Sequence, residues 1–320
     1  MDISQRYRKV VIVGAGAVGA TFAYALAQTG LATEIVMIDR NRKLMEGQVL
    51  DLAQGQPFFP SVEIRHGEKS DYGDAQVIVI TAGAKQQSGE SRLGLLQRNA
   101  IIIEAIINDI VGQRSQAIII VVSNPVDVLT YIALKRSGWA RGRVIGSGTV
   151  LDSARFRHLI SQHCGIDVRN VHAYILGEHG DSEFAAWSMT HIAGIPINEY
   201  CLTAEKCADW EQERIEIVQA VKDSAYHIID YKGSTYFAIG LALVLIVGAI
   251  LRNQKSVLTV STLLEGEYGL EDVCLSVPCT VSQKGVERIV VANLSEEELD
   301  AMSESGHVLR NALSELQQKG

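Results

Sequence analysis

The feature that most constrains this chain is a grammar repeated through its first half: a continuous β-branched run, a helical stretch, then another run. KVVIVGAG (9–16), EIVMIDR (34–40), QVIVITAG (76–83), AIIIVVSNP (117–125) and RVIGSG (143–148) read as strands. They are apolar without alternation, so both faces of their sheet must be covered, which suits parallel strands. Helical patterns such as AVGATFAYALAQTG (17–30) and RNAIIIEAIINDIVGQ (98–113) supply the cover. This βαβ alternation predicts a doubly wound parallel α/β sheet of Rossmann type.

From about residue 150 the grammar changes. Long helical stretches (150–164, 204–231, 236–252) mix with hairpin-like segments at 257–269 and 273–285. The expected organisation is a Rossmann domain over 1–148 and an α+β catalytic domain over 149–320, with 236–252 packing back onto the first. The chain ends on an amphipathic helix with a capping-box opening, Ser295-x-x-Glu298, and Leu299, Met302, Leu309, Leu313 and Leu316 on one broad face.

A net charge of −8 with no basic stripe argues against nucleic acid as a partner. The apolar run FAIGLALVLIVGAIL (237–251) has 15 residues, short of the roughly 18–20 that span a bilayer, and is expected to be a buried helix. The N-terminus has no apolar targeting segment, and the five cysteines (164, 201, 207, 274, 279) form no C-x-x-C pair. They are expected to be reduced thiols of a cytoplasmic protein, with no metal site.

Within VVIVGAGAVG, Gly14, Gly16 and Gly19 stand in G-x-G-x-x-G spacing, after a strand and at the start of a helix. The first glycine permits a tight turn, the second lets backbone approach a pyrophosphate, and the third lets helix and strand pack closely. Asp39 ends the second strand 20 residues after Gly19. A carboxylate there accepts hydrogen bonds from a ribose diol and repels a 2′-phosphate, favouring NAD over NADP, although Arg40 beside it tempers that preference.

Three further stretches fall at strand ends on the ligand-binding side. AGAKQQSGESRLGLLQRN (82–99) reads as a polar loop whose glycines suit a mobile lid carrying Arg92. In SNPVD (123–127), Asn124 offers an amide, or simply begins a helix. In GTVLDSARFRHLI (148–160), Asp152 and Arg155 share a helix face at i,i+3. One reading is an intrahelical salt bridge. The other gives each its own partner, with Arg155 gripping a substrate carboxylate and Asp152 orienting a histidine. The histidine in question is His179 of GEHGDS (177–182), just past the expected strand VHAYIL (171–176).

Taken in order over nearly the whole chain, GAGAVG, Asp39, QQSGESR, SNPVDV, GTVLDSARFR, GEHGDS and KGSTYFAIG resemble the L-lactate dehydrogenase family, sister to the malate dehydrogenases. The resemblance implies NADH-dependent reduction of pyruvate to L-lactate, reversibly, by a cytoplasmic homotetramer. It implies that Val18, Asp39, Gly83, Ser123 and Ser147 contact the cofactor. Arg92 is implied to polarise the ketone, Arg155 to clamp the carboxylate with Thr235 beside it, and Asn124 to position substrate and nicotinamide. His179 is the implied acid–base, oriented by Asp152. Free histidine titrates near pH ~6.5 and so serves either direction.

Lactate and malate enzymes of this type differ six residues before the lid arginine, where this chain has Gln86. A dicarboxylate would leave its second charge unpaired beside a neutral glutamine, costing several kcal/mol, whereas the methyl of pyruvate suffers no such penalty. A malate dehydrogenase is therefore the alternative enzyme, and a catalytically silent NAD-binding protein the alternative class. Arg157 and His172 match positions that bind fructose 1,6-bisphosphate across a subunit interface in allosteric bacterial relatives. Interface or surface salt bridging is the competing reading.

Overall fold

The computed structural model describes residues 7–84, 91–203 and 209–318. Its first half builds six parallel strands: β1 (Lys9–Val13), β2 (Glu34–Ile38), β3 (Glu63–His66), β4 (Val77–Ile80), β5 (Ile118–Val121) and β6 (Val144–Gly146). They lie in the order β3-β2-β1-β4-β5-β6. The order reverses between β1 and β4, and the crevice beyond their carboxyl ends is where such sheets bind ligands. Every residue of β1, β4 and β5 is buried, so the uninterrupted apolar runs are covered on both faces. β3 has no counterpart among the five runs expected from sequence. Its EIRH segment sits at the sheet edge, where only Ile64 needs burial, and it therefore lacks an apolar run.

The covering helices are α1 (Ala17–Ala27), α2 (Arg42–Gln54), α3 (Arg92–Gly112) and α4 (Val126–Ser137). α3 starts earlier than the helix expected from 98. Ser91 is its N-cap, accepting a hydrogen bond from the Gly94 N–H at 3.1 Å, which satisfies one of the free amides at the helix start. Arg92 therefore sits on the first helical turn rather than in a loop.

The second half begins with α5 (Val150–Cys164), followed by short strands β7 (Val171–His172), β8 (Ile175–Leu176), β9 (Phe184–Ala185), β10 (His191–Ile192) and β11 (Ile195–Pro196). The single strand expected over 171–176 is thus two short ones, because β7 pairs with β10 and β8 with β9. Next come α6 (Ile197–Thr203), α7 (Trp210–Lys232) and α8 (Phe237–Leu251). Leu243, Ile246, Val247 and Ile250 of α8 are buried, and α8 crosses α1 so closely that a Cβ on Gly240 would lie 3.0 Å from Thr21 Cγ2. The other face is open: Phe237, Leu241 and Leu245, spaced four apart, are 65%, 65% and 48% exposed. The expected buried helix is therefore buried on one side only. No helix among the described residues is long and apolar enough to cross a membrane.

The remaining strands, β12 (Ser256–Glu265), β13 (Glu271–Ser282) and β14 (Gly285–Ile289), run antiparallel. The two hairpin-like segments read from sequence are instead the two arms of one long β12–β13 pair. β12 meets β6 through Ser261 and Gly146, which extends the sheet to nine strands and carries it across the boundary expected at 148. α9 (Glu296–Gln318) closes the chain behind the expected capping box, with the Ser295 N–H donating to Glu298 and the Glu298 N–H to Ser295 Oγ. Met302, Leu309 and Leu313 face the core, but Leu299 is 42% exposed and lies outside the buried stripe.

Candidate active site

At the reversal of strand order, the β1–α1 turn is shaped by its glycines. Gly14 has φ +111°, and a Cβ there would sit 2.7 Å from Thr81 Oγ1. A Cβ on Gly19 would lie 1.9 Å from the Gly14 carbonyl oxygen, so helix and turn touch at backbone distance. A Cβ on Gly16 would meet nothing within 4 Å, and no side chain caps α1 there, leaving its first amides for a ligand. Thr81 fastens the turn by donating to the Gly14 carbonyl at 3.1 Å. Gly14, Gly16 and Thr81 line a cleft of about 710 Å³ with Asp39, Ala82 and Gly83. The open backbone cradle and the carboxylate at the end of β2 fit a dinucleotide.

Asp39 is already held by the chain: Ala15 N–H donates to Oδ2 and Asn41 N–H to Oδ1, each at 2.7 Å. Each carboxylate oxygen retains acceptor capacity for a ribose hydroxyl. Val18 is partly buried against the core. Ser123 Oγ donates to the Ala82 carbonyl at 2.6 Å, while the Ser147 amide continues the sheet by donating to Val121 O at 2.8 Å. Asn99, which sequence reasoning passed over, joins this side to the next: its Nδ2 donates to Asn124 O at 2.9 Å and its Oδ1 accepts from Ala84 N–H at 2.7 Å. The only signal for it is a polar residue on the apolar face of α3. Asn124 precedes a cis proline, and its side chain is exposed.

His179 sits in the loop after β8, which an antiparallel bridge between Gly177 and Ser276 ties to β13. Its Nδ1 lies 2.6 Å from Asp152 Oδ2, and Arg155 Nη1 donates to Asp152 Oδ1 at 2.8 Å. The intrahelical salt bridge and the orienting of the histidine by Asp152 therefore coexist on one buried carboxylate, and Arg155 is bound to Asp152 rather than having a separate partner. Burial opposes charge on Asp152, but His179 and Arg155 outweigh it and hold its carboxyl below the usual range. Burial likewise opposes an imidazolium at His179; the attraction and hydrogen bond of Asp152, helped by Glu183 and Asp127, prevail and push it up to about 9. The side chain keeps 23% exposure, which gives a reacting group access to the ring.

Asp127 is the second missed residue. It is 2% exposed, and its Oδ2 accepts the His179 backbone N–H at 2.8 Å, so α4 positions the main chain while α5 positions the ring. Burial pushes its carboxyl up to about 6. It stands within SNPVD, but nothing in the motif marks that its one acid turns inward.

Arg92 reaches the same loop. Its Nη1 lies 3.1 Å from Asp181 Oδ2, while Tyr226 Oη donates to Asp181 Oδ1 at 2.7 Å and Lys222 Nζ to the Asp181 carbonyl at 2.8 Å. Asp181, which carries no role from sequence, thus anchors the arginine to α7. Thr235 is partly buried in the segment joining α7 to α8, and no hydrogen bond links it to Arg155. Gln86 lies outside the described residues, as do Ser88 and Gly89 of the expected lid.

Away from this cluster, Arg157 Nε donates to the Val171 carbonyl at 2.7 Å, which brings its guanidinium to the strand that carries the exposed His172.

Two family profiles match the chain: the NAD binding domain of lactate/malate dehydrogenase over residues 8–146, and the alpha/beta C-terminal domain of the same family over 149–319. An L-lactate dehydrogenase of Treponema denticola is 57% identical over 98% of this chain and 100% of its own length. One from Acetivibrio thermocellus is 49% identical over 99% of each chain. Among solved structures, a lactate dehydrogenase from a Medee basin deep-sea metagenome library superposes with a TM-score of 0.94 at 44% identity, covering 98% of this chain and 99% of that one.

Proposed function

The chain belongs to the lactate/malate dehydrogenase family, and from that premise we propose that it is an NAD-dependent L-lactate dehydrogenase that reduces pyruvate reversibly. The observation that carries this reading is Asp152 holding His179 Nδ1 at 2.6 Å and Arg155 at 2.8 Å on one buried carboxylate. The names of full-length relatives support the same substrate pair.

When bound in the glycine cradle, the nicotinamide supplies the hydride. Residues 1–148 hold that cofactor, with Gly14, Gly16, Val18, Gly19, Asp39, Gly83, Ser123 and Ser147 as its contacts, and 149–320 contribute the substrate groups. Arg155 binds the substrate carboxylate through guanidinium N–H groups not engaged by Asp152, with Thr235 beside it. Arg92 leaves Asp181 for the ketone oxygen and stabilises the charge that develops there. His179 donates its Nε2 proton to that oxygen, and Asp152 fixes the tautomer and stabilises the imidazolium without taking the proton. Asn124 positions the substrate against the nicotinamide. Gln86, being neutral, selects pyruvate over a dicarboxylate, whose second charge it cannot pair.

The enzyme is read as a cytoplasmic homotetramer of fermentative glycolysis. The outward stripe of Phe237, Leu241 and Leu245 supports assembly, and the buried thiols of Cys274 and Cys279 support a reducing compartment. Fructose 1,6-bisphosphate is the proposed activator, bound by Arg157 and His172 of paired subunits. The test is kcat/KM for pyruvate and for oxaloacetate with NADH, each with and without fructose 1,6-bisphosphate. Pyruvate is expected to lead by at least about a hundredfold, the worth of roughly 3 kcal/mol, and the activator to steepen its use. Preference for oxaloacetate would overturn the substrate, and unchanged saturation curves the effector.

A further inference from the structure

Beside the Asp152–His179 pair lies a second buried carboxyl to which the reading above gives no task. Glu183, immediately before β9, is 6% exposed. One of its oxygens, one carboxylate oxygen of Asp152 and one ring nitrogen of His179 all lie within 4.8 Å of one another. Two carboxylates this close, both shielded from water, do not ionise together without a large penalty. Asp152 has Arg155 and His179 bound directly to it, whereas no ion pair among the described residues neutralises Glu183. The charge therefore settles on Asp152 and the proton on Glu183.

The surroundings of Glu183 reinforce that division. Burial is the main cause that raises its carboxyl, to about 8, and repulsion from Asp152 adds to it. His179, Lys222 of α7 and Arg155 of α5 pull the other way without prevailing. Asp127 of α4 also acts on His179, accepting its backbone N–H, and Glu178 lies on the same loop as the histidine. Ionised Glu183 is in turn one of the charges that favour the imidazolium.

We propose that Glu183 is a positioning residue that stays neutral through the physiological range and, once ionised, holds the proton on His179 to higher pH, extending the range over which the site can protonate a substrate oxygen. The proposal rests on His179 being the proton donor. The sign follows directly. Pyruvate reduction requires protonated His179, so its rate falls as pH rises through the histidine's titration. A negative charge at Glu183 moves that fall upward, and lactate oxidation, which requires neutral His179, begins later by the same amount.

The experiment compares pH profiles of kcat/KM for both directions in the full-length enzyme and in Glu183→Gln, which keeps the shape of the neutral acid. At pH 6.5 the variant should stay within about threefold of the parent. Its alkaline limb in pyruvate reduction should fall about one pH unit earlier, a loss of about tenfold at the alkaline end, and its lactate-oxidation limb should rise earlier by the same interval. Glu183→Asp should restore part of the shift. Superimposed limbs, or an equal loss at every pH, would overturn the proposal. Titrating the His179 ring by NMR, assigned against His179→Asn, gives the same reading without turnover. If His179→Asn remains active, the underlying assignment of the proton donor falls instead.

Discussion

The two sides of the active site are built from different materials. The cofactor side is made of backbone: Gly14 and Gly19 bring main chain to within contact, Gly16 leaves the space beside it open, and Asp39 is pinned by two amides. The proton-transfer side is made of ionisable side chains that water scarcely reaches. Asp127 comes from α4, Asp152 and Arg155 from α5, and Glu183 from the segment before β9, all gathered around one histidine. The first is fixed by sterics and main-chain hydrogen bonds where the β1–α1 turn meets the ends of β2 and β4. The second is fixed by electrostatics between elements far apart in sequence, so its parts are mutually dependent.

That contrast can be broken from either side. The largest effect is expected on the electrostatic side. Asp152→Asn removes the negative charge that faces His179 Nδ1 and pairs with Arg155, and should lower kcat/KM for pyruvate by about a thousandfold, within the usual range for a general acid. It should also move the alkaline limb to lower pH, because the imidazolium loses its strongest stabiliser. NADH affinity, read by fluorescence titration, should stay the same; a parallel loss would mean that the two sides are not separable.

Gly19→Ala is the reverse experiment. Its methyl group would meet the Gly14 carbonyl oxygen at 1.9 Å, an overlap with a backbone atom expected to cost at the upper end of about 1–3 kcal/mol. NADH affinity should fall at least about tenfold, by opening of the turn, while the pH profile of the remaining activity keeps its midpoints. The smallest of the three tests asks whether Asp127 belongs to the electrostatic side or to the scaffold. Asp127→Ala leaves the His179 amide without its acceptor and should cost about 1–3 kcal/mol in denaturant unfolding. If stability falls while the pH profile is unmoved, Asp127 is scaffold only.

The same contrast explains what sequence made legible. Strand runs and the glycine spacing are readable because each is decided by neighbours within a few residues, and Asp39 because it ends such a run at a set distance from the glycines. β3 escapes because an edge strand needs little apolar content, and the start of α3 was placed late because Ser91 and Gly94 read as loop residues until the cap bond is seen. His179, Asp152 and Arg155 were found through resemblance and spacing together. Asp127, Glu183, Asn99 and Asp181 were not, since their roles depend on which way a side chain turns after long-range packing. An acid in a polar loop looks alike whether it ends in solvent or beneath a histidine. The exposed stripe of α8 escaped for a related reason: a helix apolar all round does not announce which face is covered.

The junction between β6 and β12 has a consequence for accuracy. A Cβ at Gly146 would lie 2.5 Å from Thr130 Oγ1, and one at Gly148 would lie 2.6 Å from the Thr259 carbonyl oxygen. At Gly148 the two halves of the sheet therefore meet main chain to main chain, and at Gly146 they close on Ser261 and Thr130 with no room for a side chain. α5 departs from this seam at Val150, and Asp152 follows within its first turn. The seam acts as a datum, in the machinist's sense: the alignment of the acid and of the histidine it steadies is measured from two glycines. A displacement there would reach the proton donor as misalignment, however well the rest of the sheet was packed.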